Sequence, residues 1–224
     1  MNFTEALAYI RLRQAVGRHP WLPPVRVAIL QAIIDEFGYE SYLEIGAVGR
    51  EPLGRRTFDR IECACKIGVD VQPGATYCMT SNEFFGRNQL AFDLVFVDGD
   101  HEAEQSYRDI KESLAILEPG GLVVVHDCLP PTEDDEAPEL NGTTWRAFCG
   151  FRDKPELDMV TGDFDFGMGL VRRGRPGRVM NPLFTLPAHY TKLTYEQLQQ
   201  NRDEWMQVKT AEETIEWLTT NRTG

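Results

Sequence analysis

The sequence predicts a doubly wound, mainly parallel α/β sheet, on three observations. From residue 41 onward, short apolar runs alternate with segments of helical period. Two runs, LVFVD and LVVVHD, end in acids at Asp98 and Asp127. Between them Ala103, Tyr107, Ile110, Leu114 and Leu117 recur at the spacing of one helix face. A right-handed strand–helix–strand crossover makes those two strands parallel.

Taken in order, residues 4–14 and 24–37 predict two N-terminal helices. In the second, Ile29, Leu30, Ile33, Ile34 and Phe37 share a face; Pro24 suits a first turn and Gly38 a stop. Ser41–Ile45 predicts a buried first strand, residues 55–64 a helix, Lys66–Asp70 a second strand and Thr76–Met79 a short third. Asp93–Asp98 and Gly121–Asp127 are the fourth and fifth, with Pro119-Gly120-Gly121 ending the helix between them. Trp145–Arg152 predicts a helix, Leu157–Thr161 and Phe166–Val171 a closing strand pair, and residues 194–220 a polar helical tail. The expected organisation is one domain: N-terminal helices over 1–38, a core over 39–180 and a helical extension over 181–224.

A chain of 224 residues, 42% hydrophobic, can bury a substantial single core. Its net charge of −12 opposes nucleic acid and anionic membrane, so neither is an expected partner. The five cysteines, at 63, 65, 78, 128 and 149, match no zinc template, and Cys63-x-Cys65 is too tight for a redox pair. They read as reduced, mostly buried thiols. The opening MNFTEALAYIRLRQ has no apolar signal-peptide core, and no apolar run reaches eighteen residues. The expected location is cytoplasmic.

Open α/β sheets bind ligands at the carboxyl ends of their strands. Leu43-Glu44-Ile45-Gly46 ends the first strand, where Gly46 lets a ligand approach the backbone. Glu44 opposes a pyrophosphate but suits an amino group and a sulfonium, which favours S-adenosylmethionine over NAD. Asp70 ends the second strand, where an acid can accept both hydroxyls of a ribose or simply form a turn. Asp98 and Asp127 end neighbouring strands ~5 Å apart and could share one cation. Hard oxygen ligands suit Mg²⁺ or Mn²⁺ better than zinc. His101, one turn after Asp98, is the candidate base, and Asp100 a natural helix N-cap. The acidic loop PPTEDDEAPELNG (130–142) is either a solvated connection or a lid over the acceptor. Arg172, Arg173, Arg175 and Arg178 read as a solvated basic turn, and Trp145 and Phe148 as core residues or a sugar-stacking pair.

YLEIG, KIGVD, FDLVFVDGDHEAEQSYRDI, LEPGGLVVVHD and NGTTWRAFCGFR together resemble the class I S-adenosylmethionine-dependent methyltransferases. Within them the chain is most similar to methyltransferase family 24, the group that contains the macrocin-type sugar O-methyltransferases, over about residues 40–174. The resemblance implies a Rossmann-like, seven-stranded sheet with an antiparallel seventh strand. It implies cofactor contacts at Glu44, Gly46, Asp70 and Asp98, with adenine near Thr80–Asn82 and hence at Ser81. It implies magnesium on Asp98 and Asp127 with His101 as base. Where relatives carry a second glycine in the first loop this chain has Arg50, so Gly49 or Gly54 must serve, and no third metal ligand is evident. The expected function is metal-assisted O-methylation of a sugar or natural-product hydroxyl by a possible homo-oligomer. The rivals are metal-independent O- or N-methylation, with Asp98 and Asp127 only orienting the reactants, and a non-catalytic scaffold.

Overall fold

The apolar runs pair in parallel around Ser41–Ile45 (β1), whose last four residues are all buried. The computed structural model describes residues 1–17, 22–49, 56–174 and 186–220. In it, β1 lies between Cys65–Asp70 (β2) and Phe92–Val97 (β4). Tyr77–Cys78 (β3) extends the sheet beyond β2 and Leu117–Val125 (β5) extends it beyond β4, all in parallel. The hairpin Leu157–Gly162 (β6) and Met168–Arg173 (β7) places β7 antiparallel to β5. Val208–Lys209 (β8) then pairs with β6, giving the order β3-β2-β1-β4-β5-β7-β6-β8. The doubly wound sheet and its antiparallel seventh strand are as expected. The eighth, two-residue strand is not: it interrupts the tail between helices Tyr195–Met206 (α7) and Ala211–Thr219 (α8).

Side chains alternate across the strands and fill two layers. Leu43, Ile45, Val95 and Val97 pack with residues of Ser81–Arg87 (α4), Ala103–Ala115 (α5), Thr144–Cys149 (α6) and α7. Tyr42, Leu94 and Phe96 pack with Phe3–Val16 (α1), Val25–Phe37 (α2) and α8. The alternation sends Glu44 to the same side as Tyr42, the side covered by α2. Gly38, in the left-handed region at φ 64°, ends α2 as expected. Among the described residues no helix is long and apolar enough to cross a membrane.

Several local expectations are corrected. The helix expected over 55–64 shrinks to the single turn Thr57–Arg60 (α3), because Ile61 turns extended and buries against the α2 layer. Pro119-Gly120-Gly121 does not end α5, which stops at Ala115; these residues lie inside β5, where a Cβ on Gly121 would come within 2.8 Å of the Asp93 carbonyl. Helix α4 was not expected, although Thr80 and Glu83 form a reciprocal capping box at its start. Asp165 and Phe166 are left-handed at φ 49° and 63°, so β7 starts only at Met168. Arg172 is not solvated: Nη2 donates to Asp158 Oδ2 at 2.9 Å and to the Trp217 and Thr220 carbonyls at 3.0 Å each. Arg173 Nη2 donates to the Leu114 carbonyl. Arg175 and Arg178 lie outside the described residues. Only Cys128 and Cys149 are buried, because Cys63, Cys65 and Cys78 fall near the β3 side of the sheet. Trp145 and Phe148 are fully buried core residues, so neither stacks on a ligand.

Candidate active site

The loops after β1, β2, β4 and β5 open into one cavity of about 990 Å³. Glu44, Gly46, Gly49, Asp70, Ser81, Asp98, His101 and Asp127 all line it, so the structure brings every candidate site residue to one place.

At the β1 end, Gly46 is left-handed at φ 90°, and an added Cβ would overlap the Asp98 carbonyl. The glycine is thus required by the approach of the chain leaving β4, not by space for a ligand. Asp70 clasps the same loop: Oδ2 accepts from Val48 N at 2.9 Å and Gly49 N at 3.2 Å, while Oδ1 accepts from Gln72 N at 2.8 Å. The turn-forming role of Asp70 is therefore present, with lone pairs left for a further donor. Gly49, at φ 52°, closes the described part of the loop; Arg50 and Gly54 lie outside the described residues.

Glu44 is buried and accepts a 2.5 Å hydrogen bond from the Tyr42 hydroxyl. Burial dominates its ionisation and pushes the carboxyl up to about 8, against the opposing pull of Tyr42. Glu44 therefore holds a proton at neutral pH when no cation faces it.

At the β4 and β5 ends the sheet ladder runs up to the two acids. Asp98 N donates to the Ile45 carbonyl at 2.9 Å and His126 N to the Val97 carbonyl at 3.0 Å. Asp127 is left-handed at φ 61°, and Asn141 Nδ2 donates to its Oδ1. His101 Nε2 lies 3.6 Å from Asp98 Oδ1 and 3.4 Å from Asp127 Oδ2. Asp98, His101 and Asp127 each offer one ligand atom within 4.8 Å of the others. His101 Nδ1 is buried without a hydrogen-bond partner. Asp98 and Asp127 offer the oxygen ligands that a hard divalent cation takes, with the His101 imidazole beside them. Cys128 does not join them: its thiol turns into the core toward the Val125 carbonyl at 3.6 Å.

Four neighbours of this cluster, Arg26, His126, Asn141 and Asp165, were not read from the sequence as site residues. Arg26, from α2, donates from its backbone N to Asp165 Oδ2 at 2.9 Å and from Nε to Thr57 Oγ1 at 3.0 Å. Its Nε is also 3.8 Å from Asp98 Oδ2. His126 Nδ1 sits 3.0 Å from Asp127 Oδ1 and 3.4 Å from Asp98 Oδ1, and its Nε2 is 3.7 Å from Asp165 Oδ2. Burial opposes the charge on His126, but Asp127 and Asp98 outweigh it and hold the imidazole well above its ordinary pKa. Burial likewise opposes the charge on Asp98, and His126, His101 and Arg26 overcome it, keeping the carboxyl well below the usual range. Burial opposes the charge on His101 too, yet the Asp98 and Asp127 carboxylates raise its pKa. Only Asp165, just after the hairpin glycine, carried even a turn signal; Arg26 sits in an apolar run and Asn141 in an acidic loop.

The acidic loop is not simply solvated. Asp135, Pro138, Glu139, Leu140 and Asn141 form one wall of the cavity. Its end is locked to the β4 exit: Thr143 N donates to the His101 carbonyl at 2.7 Å, and Thr143 Oγ1 accepts from Ala103 N at 2.9 Å. Thr143 thereby satisfies a first-turn amide of α5. Asp100 is not the N-cap; that position is Glu102, whose amide donates to Asp100 Oδ1 at 3.0 Å in a local turn.

Residues 71–128 match a family described as methyltransferase domain (methyltransferase 24). No curated protein matches the sequence. The chain is similar to the cofactor-bound Rv0187 protein from MTB, at 18% identity and a TM-score of 0.52, over 80% of this chain and 91% of that one. It is similar to the SAH-bound methyltransferase PaMTH1 from Podospora anserina, at 14% identity and a TM-score of 0.52, over 77% and 88%. It is also similar to TomG from Streptomyces achromogenes, an O-methyltransferase involved in tomaymycin synthesis and solved with SAM, at 14% identity and a TM-score of 0.50, over 75% and 89%. The strand order, the antiparallel β7 and the matched segment agree: the chain has the class I methyltransferase fold, and residues 71–128 carry a methyltransferase-domain signature.

Proposed function

We propose that the chain is an S-adenosylmethionine-dependent O-methyltransferase, acting on a hydroxyl of a sugar or natural product. The observation that carries this reading is the meeting, in one cavity, of Glu44 and Asp70 with the Asp98–His101–Asp127 cluster. When bound, the cofactor supplies a methyl group on a sulfonium, and a divalent cation held by Asp98 and Asp127 supplies charge that acidifies a nearby hydroxyl. Glu44 faces the cationic part of the cofactor and Asp70 its ribose. Gly46 and Gly49 shape the loop between them. His101 receives the acceptor's proton at Nε2, the nitrogen facing both carboxylates. Asn141 orients Asp127, and the wall from Asp135 to Asn141 limits water. Alignment is the larger contribution: positioning is worth up to ~7–11 kcal/mol, whereas a general base typically gives ~10²–10⁴-fold.

One observation favours a second reading. Arg26 and His126 already lie at ion-pair distance from Asp98, so these carboxylates have counter-charges of their own. Methyl transfer without a metal, with the acids orienting the reactants, follows from that balance. The test is calorimetry with S-adenosylhomocysteine, followed by radiolabelled methyl transfer to a panel of sugars, glycosides and phenols. Each assay is run with Mg²⁺ and with EDTA. Absence of S-adenosylhomocysteine binding sinks the proposal; transfer unchanged in EDTA selects the metal-free form.

A further inference from the structure

Each carboxylate oxygen of Asp98 already faces a basic nitrogen. Oδ1 lies 3.4 Å from His126 Nδ1 and 3.6 Å from His101 Nε2, and Oδ2 lies 3.8 Å from Arg26 Nε. The two imidazoles follow β5 and β4, beside the acids themselves. Arg26 enters instead from the first turn of α2, lines the cavity, and has a side chain only 17% exposed. Its guanidinium is a permanent charge. It is also fixed in place. Pro24, at the N-cap of α2, provides no side-chain cap. Asp165 caps the helix from the turn between β6 and β7: its Oδ2 accepts from Arg26 N at 2.9 Å and from Nη1 at 3.4 Å. Thr57 Oγ1 accepts from Nε at 3.0 Å. The guanidinium cannot leave Asp98 without breaking the side-chain bonds to Asp165 and Thr57.

Asp165 already balances this guanidinium through hydrogen bonds. The approach to Asp98 is too long for a hydrogen bond and is Coulombic. It adds nothing to the tie between α2 and the hairpin turn; what it changes is the charge that Asp98 presents to the cavity. A divalent cation held by Asp98 and Asp127 would share Asp98 with a fixed positive charge. Like charges this close repel strongly at a protein's effective dielectric, and partly buried groups are screened only weakly by salt. Resting on the divalent-cation reading above, we propose that Arg26 is a built-in competitor for that cation, lowering the affinity of the site and serving as the counter-charge of Asp98 when no cation is bound. The competition is reciprocal: a bound cation weakens the hold of Arg26 on Asp98 by the same factor. Arg26 thereby sets how far the two acids depend on a metal.

The test is titration of the full chain with Mn²⁺ by calorimetry at physiological ionic strength. Arg26→Gln keeps the backbone bond to Asp165 and removes the charge; it is expected to bind Mn²⁺ about 10-fold tighter than the wild type, or more. Loss of any positive charge could raise cation affinity, so Arg26→Gln/Asp165→Asn, which keeps the wild-type net charge, is measured beside it and should still bind about 3-fold tighter or more. Arg26→Gln should melt lower than the wild type without Mn²⁺ and recover part of the difference as the ion is added. An arginine that only ties α2 to the hairpin would lower the melt equally with and without the ion. The wild type carries a readout that needs no variant to fold: Mg²⁺ should shift the Arg26 Nε–H resonance in ¹⁵N NMR along the Mg²⁺ binding curve. Either variant binding Mn²⁺ no tighter than the wild type, or an Arg26 resonance unmoved by saturating Mg²⁺, overturns the assignment and leaves the divalent-cation reading intact. Absence of Mn²⁺ binding from all three proteins removes that reading, and this assignment with it.

Discussion

Asn141 donates a hydrogen bond to Asp127 from the far end of the acidic loop, fourteen residues away. Both residues are buried, and Asp127 holds a left-handed backbone that aims its carboxylate at His101. Partners that orient a ligating carboxylate typically matter by ~10–100-fold in activity or metal affinity. Asn141→Ala is therefore expected to lower methyl transfer by about that factor, while S-adenosylhomocysteine binding, measured by calorimetry, changes little. Full turnover in Asn141→Ala would mean that Asp127 needs no such support.

His101→Ala should reduce turnover by ~10²–10⁴-fold if the imidazole takes the acceptor's proton. Cofactor affinity should survive, because the ring faces Asp98 and Asp127 and not the Glu44–Asp70 end of the cavity. Rapid-quench measurement of the first turnover separates this from slow product release. Wild-type rates at neutral pH would remove His101 from the role of base.

Glu44 gives a pH dependence whose sign is fixed. Its carboxyl titrates near 8 in the folded chain against an ordinary 4.5. Below about pH 4.5 both states hold the proton and the shift has no effect on stability. Above that the unfolded chain loses its proton first, so stability falls as pH rises toward 8, by an amount on the order of a few kcal/mol. Glu44→Gln should flatten that slope in thermal melts between pH 5 and 9. It should also abolish the proton that wild-type Glu44 releases when the cationic cofactor binds near pH 7, which calorimetry in buffers of different ionisation enthalpy reads directly. A wild-type binding heat independent of buffer would contradict the protonated Glu44.

Gly46→Ala tests the packing between the β1 and β4 exits. The left-handed backbone and the overlap with the Asp98 carbonyl both oppose a side chain. Residues forced into such conformations cost of order 1–3 kcal/mol before any steric shift. A fall in the melting temperature with loss of cofactor binding is expected; an unchanged melt would show that the two exits can separate freely.

Most of the sheet was legible because its runs are short, apolar and bounded by turn residues, and the helix between Asp98 and Asp127 keeps one apolar face. Glu44, Asp70, Asp98, His101 and Asp127 were legible for a related reason: each stands at or just beyond a strand end, where the fold gathers ligands. What the sequence concealed were partners contributed from afar. Arg26 interrupts an apolar helix and looks like one solvated charge, yet the packing of α2 buries it beside Asp98 and Asp165. Asp109 and Gln105, one turn apart on α5, read as an ordinary polar face until α4 closes over them. Pro119-Gly120-Gly121 misled because its signals usually stop a helix, and here β5 runs through them.

The sheet ends on both rims in two-residue strands, Tyr77–Cys78 and Val208–Lys209. Each covers only two residues of its neighbour, so among the described residues no strand runs along the outer edge of Cys65–Gly68 in β2 or of Leu157–Val160 in β6. A backbone that extended this sheet would therefore have to align with those two uncovered stretches, and not with the two-residue rims that lie beyond them.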